Sequence, residues 1–281
     1  MSNYLKSIKK KHKVYNKTKE LPSNLDFLEG FDKITSIEPK FYDLVIYMDC
    51  GEKDRVGLDI DSGISTINFD HHQSNNNYAT YNFVDIAKAS TAEVVYEFFE
   101  KNNLPLCKSI SECFYVGIYD DSLKFSSPRV DKRTFEIVQK LLEVDINPHT
   151  IAEKLSRRDS LAKYRVLPKI LDTLELHLEG KVATIYLLDK WLHETGANAK
   201  DCDEVIDMIL NIKIVDIAIF LRVINNKTRI SLRSKNNVNV HNIAEHFDGG
   251  GHFMAAGCSH KSTDINMVKN EMLEFIKKDL S

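Results

Sequence analysis

The 281 residues are 43% hydrophobic and 28% charged, with eleven glycines and six prolines, a composition that excludes a fibre or a disordered linker. The length exceeds what one hydrophobic core usually organises, so two domains of unequal size are expected. A net charge of -3 gives no basic field for gripping long nucleic acid, but small anions held at local sites remain compatible with it. Five scattered cysteines without a CxxC pair exclude a disulfide framework and a zinc ribbon, and point to a reducing cytoplasm. No apolar run reaches the roughly 18 residues of a membrane span, and no signal-like segment follows Met1, so no membrane partner is expected.

In chain order, the lysines at Lys9, Lys10, Lys11, Lys13 and Lys17 read as a solvated face and turn without a function. Tyr42 to Met48 is a nearly continuous apolar run ending in Asp49 and Gly51, the pattern of a buried parallel strand with a carboxylate at its C-terminal end. Ile64 to Phe69 repeats the pattern and runs into Asp70-His71-His72, at the strand end where α/β folds place ligands. Ser90, with Glu93 three residues on, predicts a capped helix start. Further helices are expected at about Ile110 to Tyr119, Thr134 to Val144, from Asn147-Pro148, and from Ser160 to Leu176. Past Gly180 the pattern turns to β: Lys181 to Leu187, Ile214 to Ile224 and Thr228 to Arg233, the last two joined by a hairpin-like Asn225-Asn226-Lys227. Helices near Asp201 to Leu210, Val240 to His246 and Ile265 to Lys278 complete the chain. The domain boundary is expected within residues 155–180.

Four groups of residues carry chemistry. In Asp70-His71-His72, neighbouring side chains point in different directions, so one imidazole can ligate a metal while the next faces a substrate; Asp49 adds a hard oxygen ligand. Surface turn histidines are the competing explanation. Gly249-Gly250-Gly251-His252 frees backbone N-H groups to approach a phosphate, with a following helix N-terminus adding its dipole, against the alternative of a plain flexible turn. Arg233 and Ser234 end a strand where a guanidinium fork could clamp phosphate, or where an arginine simply faces solvent. Asp120-Asp121-Ser122 offers a third acidic point, or a cap for the next helix.

The order Asp49 with Arg55, Asp70-His71-His72, Ser90-Thr91-Ala92-Glu93, Gly117-Ile118-Tyr119-Asp120-Asp121-Ser122, Ser231-Leu232-Arg233-Ser234 and Gly249-Gly250-Gly251-His252 resembles the DHH phosphoesterases with a DHHA1 domain, most of all the bifunctional oligoribonuclease and pAp phosphatase group. The resemblance implies an α/β fold: a parallel-sheet DHH domain with flanking helices over 1–155, a helical connector over 156–180, and a smaller α/β DHHA1 domain over 181–281. It implies that Asp49 bridges two manganese ions (magnesium or cobalt being the alternatives), that His71 and Asp121 complete one metal site, and that His72 and Asp70 are catalytic. Arg233, Ser234, Gly249, Gly250, Gly251 and His252 would hold the substrate's other phosphate or terminal nucleotide. The implied substrates are short RNA or 3'-phosphoadenosine 5'-phosphate (pAp), and a homodimer is compatible with the family. A single-strand exonuclease and a pyrophosphatase are the other readings; the first lacks an aromatic-lined basic groove here, and the second lacks the GGGH run.

One departure stands out. The family normally opens with a strand carrying a His-x-x-x-Asp-x-Asp motif, which these 281 residues lack; His12 has no acidic companions at that spacing. One metal site then keeps three of about four protein ligands and its partner only Asp49. The expectation is either a native start further upstream or a chain that binds nucleotides without efficient turnover, the first being favoured because loss of a central strand exposes backbone and apolar surface.

Overall fold

A computed structural model describes residues 1–19, 21–224 and 226–279. The chain divides into two compact units, Met1–Arg158 and Asp159–Ser281.

The first unit runs α1 (Ser2–Ser7), β1 (Val14–Tyr15), β2 (Ile34–Thr35), β3 (Leu44–Met48), β4 (Ser65–Asp70), β5 (Tyr81–Val84), α2 (Thr91–Lys101), α3 (Lys108–Asp121), α4 (Lys132–Leu142) and α5 (Pro148–Ser156). β3, β4 and β5 form a parallel sheet in that order, with β4 central. Alternation along the strands sorts their side chains: Ile46, Ile67 and Phe69 join the core formed with Val95, Phe99, Phe114 and Ile118 of the helices, which leaves Tyr47, Asn68 and Asp70 for the other face. Phe69 stacks on Phe83 at 4.9 Å between ring centres, tying β5 to the same core. The helices begin where capping chemistry allows: Ser90 accepts from the N-H of Glu93, Asp131 forms a reciprocal capping box with Thr134, and Asn147 caps a helix with Pro148 in its first turn.

The second unit contains α6 (Leu161–Leu171), β6 (Glu175–His177), β7 (Val182–Leu187), α7 (Asp189–Thr195), α8 (Val205–Leu210), β8 (Ile217–Ile224), β9 (Lys227–Ser234), α9 (Val240–His246), β10 (Gly250–His252), β11 (Ala255–His260) and α10 (Ile265–Asp279). Its sheet has the order β10-β11-β9-β8-β7-β6, parallel only between β7 and β8. Both faces are apolar. Ile217, Ile219, Leu221, Ile230 and Leu232 pack with α9 and α10, while Ala183, Ile185, Ala218 and Phe220 pack with α6 and α8. Each fully buried isoleucine or leucine contributes about 1.5–3 kcal/mol.

The helix expected through Leu176 ends at Leu171. Thr173 donates its hydroxyl to Ile170 O and accepts from Tyr186 N-H, turning the chain into β6. The helix expected from Asp201 is broken into a 3-10 turn (Ala199–Cys202), capped by Asn198, and the short α8. In the expected hairpin turn Asn225 lies outside the described residues; Asn226 is left-handed, φ +57°.

Candidate active site

β3 and β4 end side by side and deliver Asp49 and His71 to one edge of the sheet. Asp49 donates its N-H to Phe69 O at 3.0 Å and takes a left-handed backbone, φ +57°, uncommon for a residue with a side chain. Cys50 and then Gly51 follow; a Cβ at Gly51 would meet Ser74 Oγ at 2.8 Å and His72 Cβ at 3.2 Å, so the glycine lets the loop after β3 lie close against His72.

His71 is 6% exposed, and its Nδ1 lies 3.1 Å from Lys88 O. A carbonyl can only accept, so Nδ1 carries a proton and Nε2 is the nitrogen turned toward the carboxylates. Nε2 stands 3.1 Å from Asp121 Oδ2 and 3.7 Å from Asp49 Oδ1. Two carboxylates thus approach one imidazole nitrogen, oxygen and nitrogen donors of the kind that suit a divalent cation. The Asp121 carboxyl is held above the usual carboxylate range by burial and by the Asp49 charge, with His71 opposing. Asp49, His71 and His72 also satisfy a common distance limit, with one ligand atom from each within 4.8 Å of the others. Asp121 stands beside this group at His71 Nε2, while His72 Nδ1 has an engagement of its own.

That engagement is with Asp70, whose Oδ1 is 2.7 Å from His72 Nδ1. Asp70 is fully buried, and Asn75 donates to its second oxygen at 2.5 Å. Burial alone would raise the Asp70 pKa, but the hydrogen bonds from Asn75 and His72 outweigh it and hold the carboxyl below the ordinary range. Both Asp70 oxygens are thus bonded, and the bond to Nδ1 orients the His72 ring. Asp121 is the last residue of α3, and the next helix is capped by Asp131, which removes the capping alternative for Asp121. Arg55 sits in an exposed 3-10 turn (Lys53–Val56).

Sequence reasoning missed Asn75, Tyr78, whose hydroxyl donates to Cys50 O at 2.7 Å, and the carbonyl of Lys88. The spacing of Asn75 from Asp70 was a usable signal, whereas a backbone carbonyl leaves none.

In the second unit, register places Ala218, Arg233, Ala255 and His252 in one cross-strand row. Arg233 and His252 therefore share a face, two strands or roughly 10 Å apart, with a small alanine between them. Gly250 lies on the same face opposite Gly257. Ser234, adjacent to Arg233, falls on the opposite face. It is buried and donates its hydroxyl to Val238 O at 2.6 Å, so it braces the loop after β9 and is not disposed to hold substrate. Arg233 reaches the carboxylate of Asp207 at 3.8 Å.

The glycine run differs from the expected cradle. Gly250, Gly251 and His252 form β10, paired antiparallel with β11, and that strand directly follows where a helix was expected. Gly249 donates its N-H to Ala244 O, and a Cβ on it would lie 2.3 Å from Gly257 O. Gly251 has φ +147°, and its Cβ would meet Ala256 Cα at 2.5 Å. These two glycines permit close strand packing. Only at Gly250 is the space open, with nothing within 4 Å of an added Cβ.

The family described as "DHH family, N-terminal domain" matches residues 1–118, and the DHHA1 domain matches residues 179–280. The chain belongs to the DHH/DHHA1 phosphoesterases, a family of hydrolytic enzymes. It is 26% identical over 238 residues to the bifunctional oligoribonuclease and PAP phosphatase NrnA of Thermus thermophilus, covering 84% of this chain and 71% of that protein. It is 24% identical over 245 residues to the Bacillus subtilis protein of the same name, covering 86% and 77%. The fold is also that of an exopolyphosphatase-related protein from Bacteroides fragilis, with a TM-score of 0.91 and 22% identity over 99% of this chain and 87% of that one. Among the described residues no helix is long and apolar enough to cross a membrane.

Proposed function

We propose that this protein is a divalent-metal phosphoesterase that hydrolyses short oligoribonucleotides and pAp, with manganese as its metal. The observation that carries the reading is the convergence of the Asp49 carboxylate with the imidazoles of His71 and His72, with Asp121 Oδ2 3.1 Å from His71 Nε2. The names of the curated relatives supply the substrate class.

Asp49, His71 and Asp121 would hold the metal, which when bound supplies Lewis acidity to a phosphoryl oxygen and to an attacking water. The chain's own residues do the rest. Lys88 O fixes the His71 tautomer so that Nε2 faces the carboxylates. Asp70 holds the His72 ring by Nδ1, which directs Nε2 to the scissile phosphate. In the second unit Arg233 and His252, sharing a row of the sheet, bind a phosphate or terminal nucleotide, with the open backbone at Gly250 beside them.

The test is hydrolysis of pAp and of a radiolabelled dinucleotide in the presence and absence of Mn2+, using the chain alone and with the in-frame sequence upstream of Met1. Metal-dependent cleavage of either is expected. Cleavage of neither, in both forms, overturns the reading.

A further inference from the structure

The first two turns of α2 reach Asp49 directly and His71 through the loop before the helix. Ser90 already caps α2 by accepting from Glu93 N-H. Thr91, the first helical residue, is buried and sends its hydroxyl across to Asp49 Oδ1 at 2.6 Å. A threonine at that position lowers helix propensity relative to alanine, so the contact with Asp49 is its visible benefit.

A second set of contacts leads to His71. Its Nδ1 rests on the carbonyl of Lys88, in the loop before α2. Two glutamates one helical turn apart hold that loop from the same face of α2. Glu93 Oε2 accepts from Ala89 N-H at 3.3 Å, and Glu97 Oε1 receives the Lys88 ammonium at 2.5 Å. From the other side, Asp85 donates its N-H to Asp70 O, and its side chain accepts from Ala87 N-H. The Lys88 carbonyl is thereby clamped between the end of β4 and the flank of α2. The Lys88 and Glu97 side chains are only 15% and 21% exposed, so the pair carries a desolvation cost that a loop without a task would not require.

We propose that Thr91, Glu93 and Glu97 are positioning residues for the metal centre: Thr91 sets the Asp49 carboxylate, and the two glutamates set the His71 ring through the carbonyl of Lys88. The inference rests on the metal-centre reading above and deepens it. Hydrogen-bond partners behind metal ligands are commonly worth about 10–100-fold in metal affinity or activity.

Two measurements on the whole chain test it. By calorimetry with Mn2+ alone, Thr91→Val is expected to weaken binding about tenfold, while Thr91→Ser, which keeps the hydroxyl, stays close to the parent chain. By 15N NMR of the metal-free chain, His71 is expected as a single Nδ1-protonated tautomer that becomes a mixture in Glu97→Ala. Manganese affinity unchanged in Thr91→Val overturns the Thr91 role, and an unchanged His71 tautomer in Glu97→Ala overturns the clamp. If Thr91→Val does not fold, Thr91→Ala takes its place under the same criterion. A parent chain that binds no Mn2+ overturns the inference outright. If the parent binds Mn2+ and these changes appear but pAp and the dinucleotide are not cleaved, the proposed substrates fail and the positioning roles stand. If cleavage occurs and both variants behave like the parent, only the positioning roles fail.

Discussion

The two sheets use the same strand chemistry to different ends. In the second unit both faces of a six-stranded sheet are covered by apolar side chains and helices. In the first, only one face of a three-stranded sheet packs on helices; the other carries Tyr47, Asn68 and Asp70. There the Tyr47 hydroxyl and both amide atoms of Asn68 are buried without a hydrogen-bond partner, an energetic cost that an apolar face avoids. The difference teaches that the first unit gives up packing to aim polar groups at its strand ends, whereas the second is a stiff platform bearing a small polar row.

The sharpest test of that contrast is to remove chemistry from the first unit without touching the second. His71→Ala is expected to lower manganese affinity by more than about 100-fold, as read by calorimetry, while the unfolding temperature of the second unit is unchanged. Equal loss of both would mean that the units do not divide the work. Next in size is Gly251→Ala, where a positive φ and a contact at 2.5 Å predict destabilisation by about 2–3 kcal/mol in denaturant titration. Gly250→Ala, by contrast, should leave stability within about 0.5–1 kcal/mol and reduce only nucleotide binding, since open space surrounds it. A smaller effect is expected for Arg233→Ala: about tenfold weaker pAp binding, or roughly 1.4 kcal/mol, with manganese affinity unaltered.

The two units should also fail at opposite ends of the pH scale. Asp70 has a folded pKa below its unfolded value, so its stabilising effect is present above about pH 4 and is lost as the pH falls through the folded pKa. Cys202 and Cys258 in the second unit are pushed up by burial to about 11, from 9.0. Their stabilising effect is present below the unfolded pKa and is lost as the pH rises through the folded one. Thermal scans of the chain at acid and alkaline pH should therefore show Asp70→Asn flattening the acid limb, and Cys202→Ala the alkaline limb.

Much of the scaffold was legible because hydrophobic pattern and cap chemistry agreed. β3 and β4 show as apolar runs, and α9 was predicted to the residue, starting after Asn239. β5 was not read: Tyr-Asn-Phe-Val is short and half exposed, and its place is set by Phe83 stacking on Phe69, a contact between distant segments. The overrun of α6 arose because Leu167, Ile170, Leu171 and Leu174 keep a helical spacing, while Thr173 bonds to the neighbouring strand instead. At the site, Asp49, His71 and Asp121 were legible as residue types at strand and helix ends. The geometry of the glycine run was not, because it depends on pairing with β11, whose residues carry no strong strand signal.

The left-handed backbone of Asp49 has a consequence for how this chain can change. Asp and Asn tolerate that conformation better than most residues, and glycine tolerates it best. Thermal stability and metal binding therefore pull the position toward different residues: glycine would relax the backbone but remove the carboxylate. Asp49→Gly is therefore expected to ease the backbone at this turn while losing the carboxylate and the hydrogen bond it accepts from Thr91, and denaturant titration reads the balance of the two.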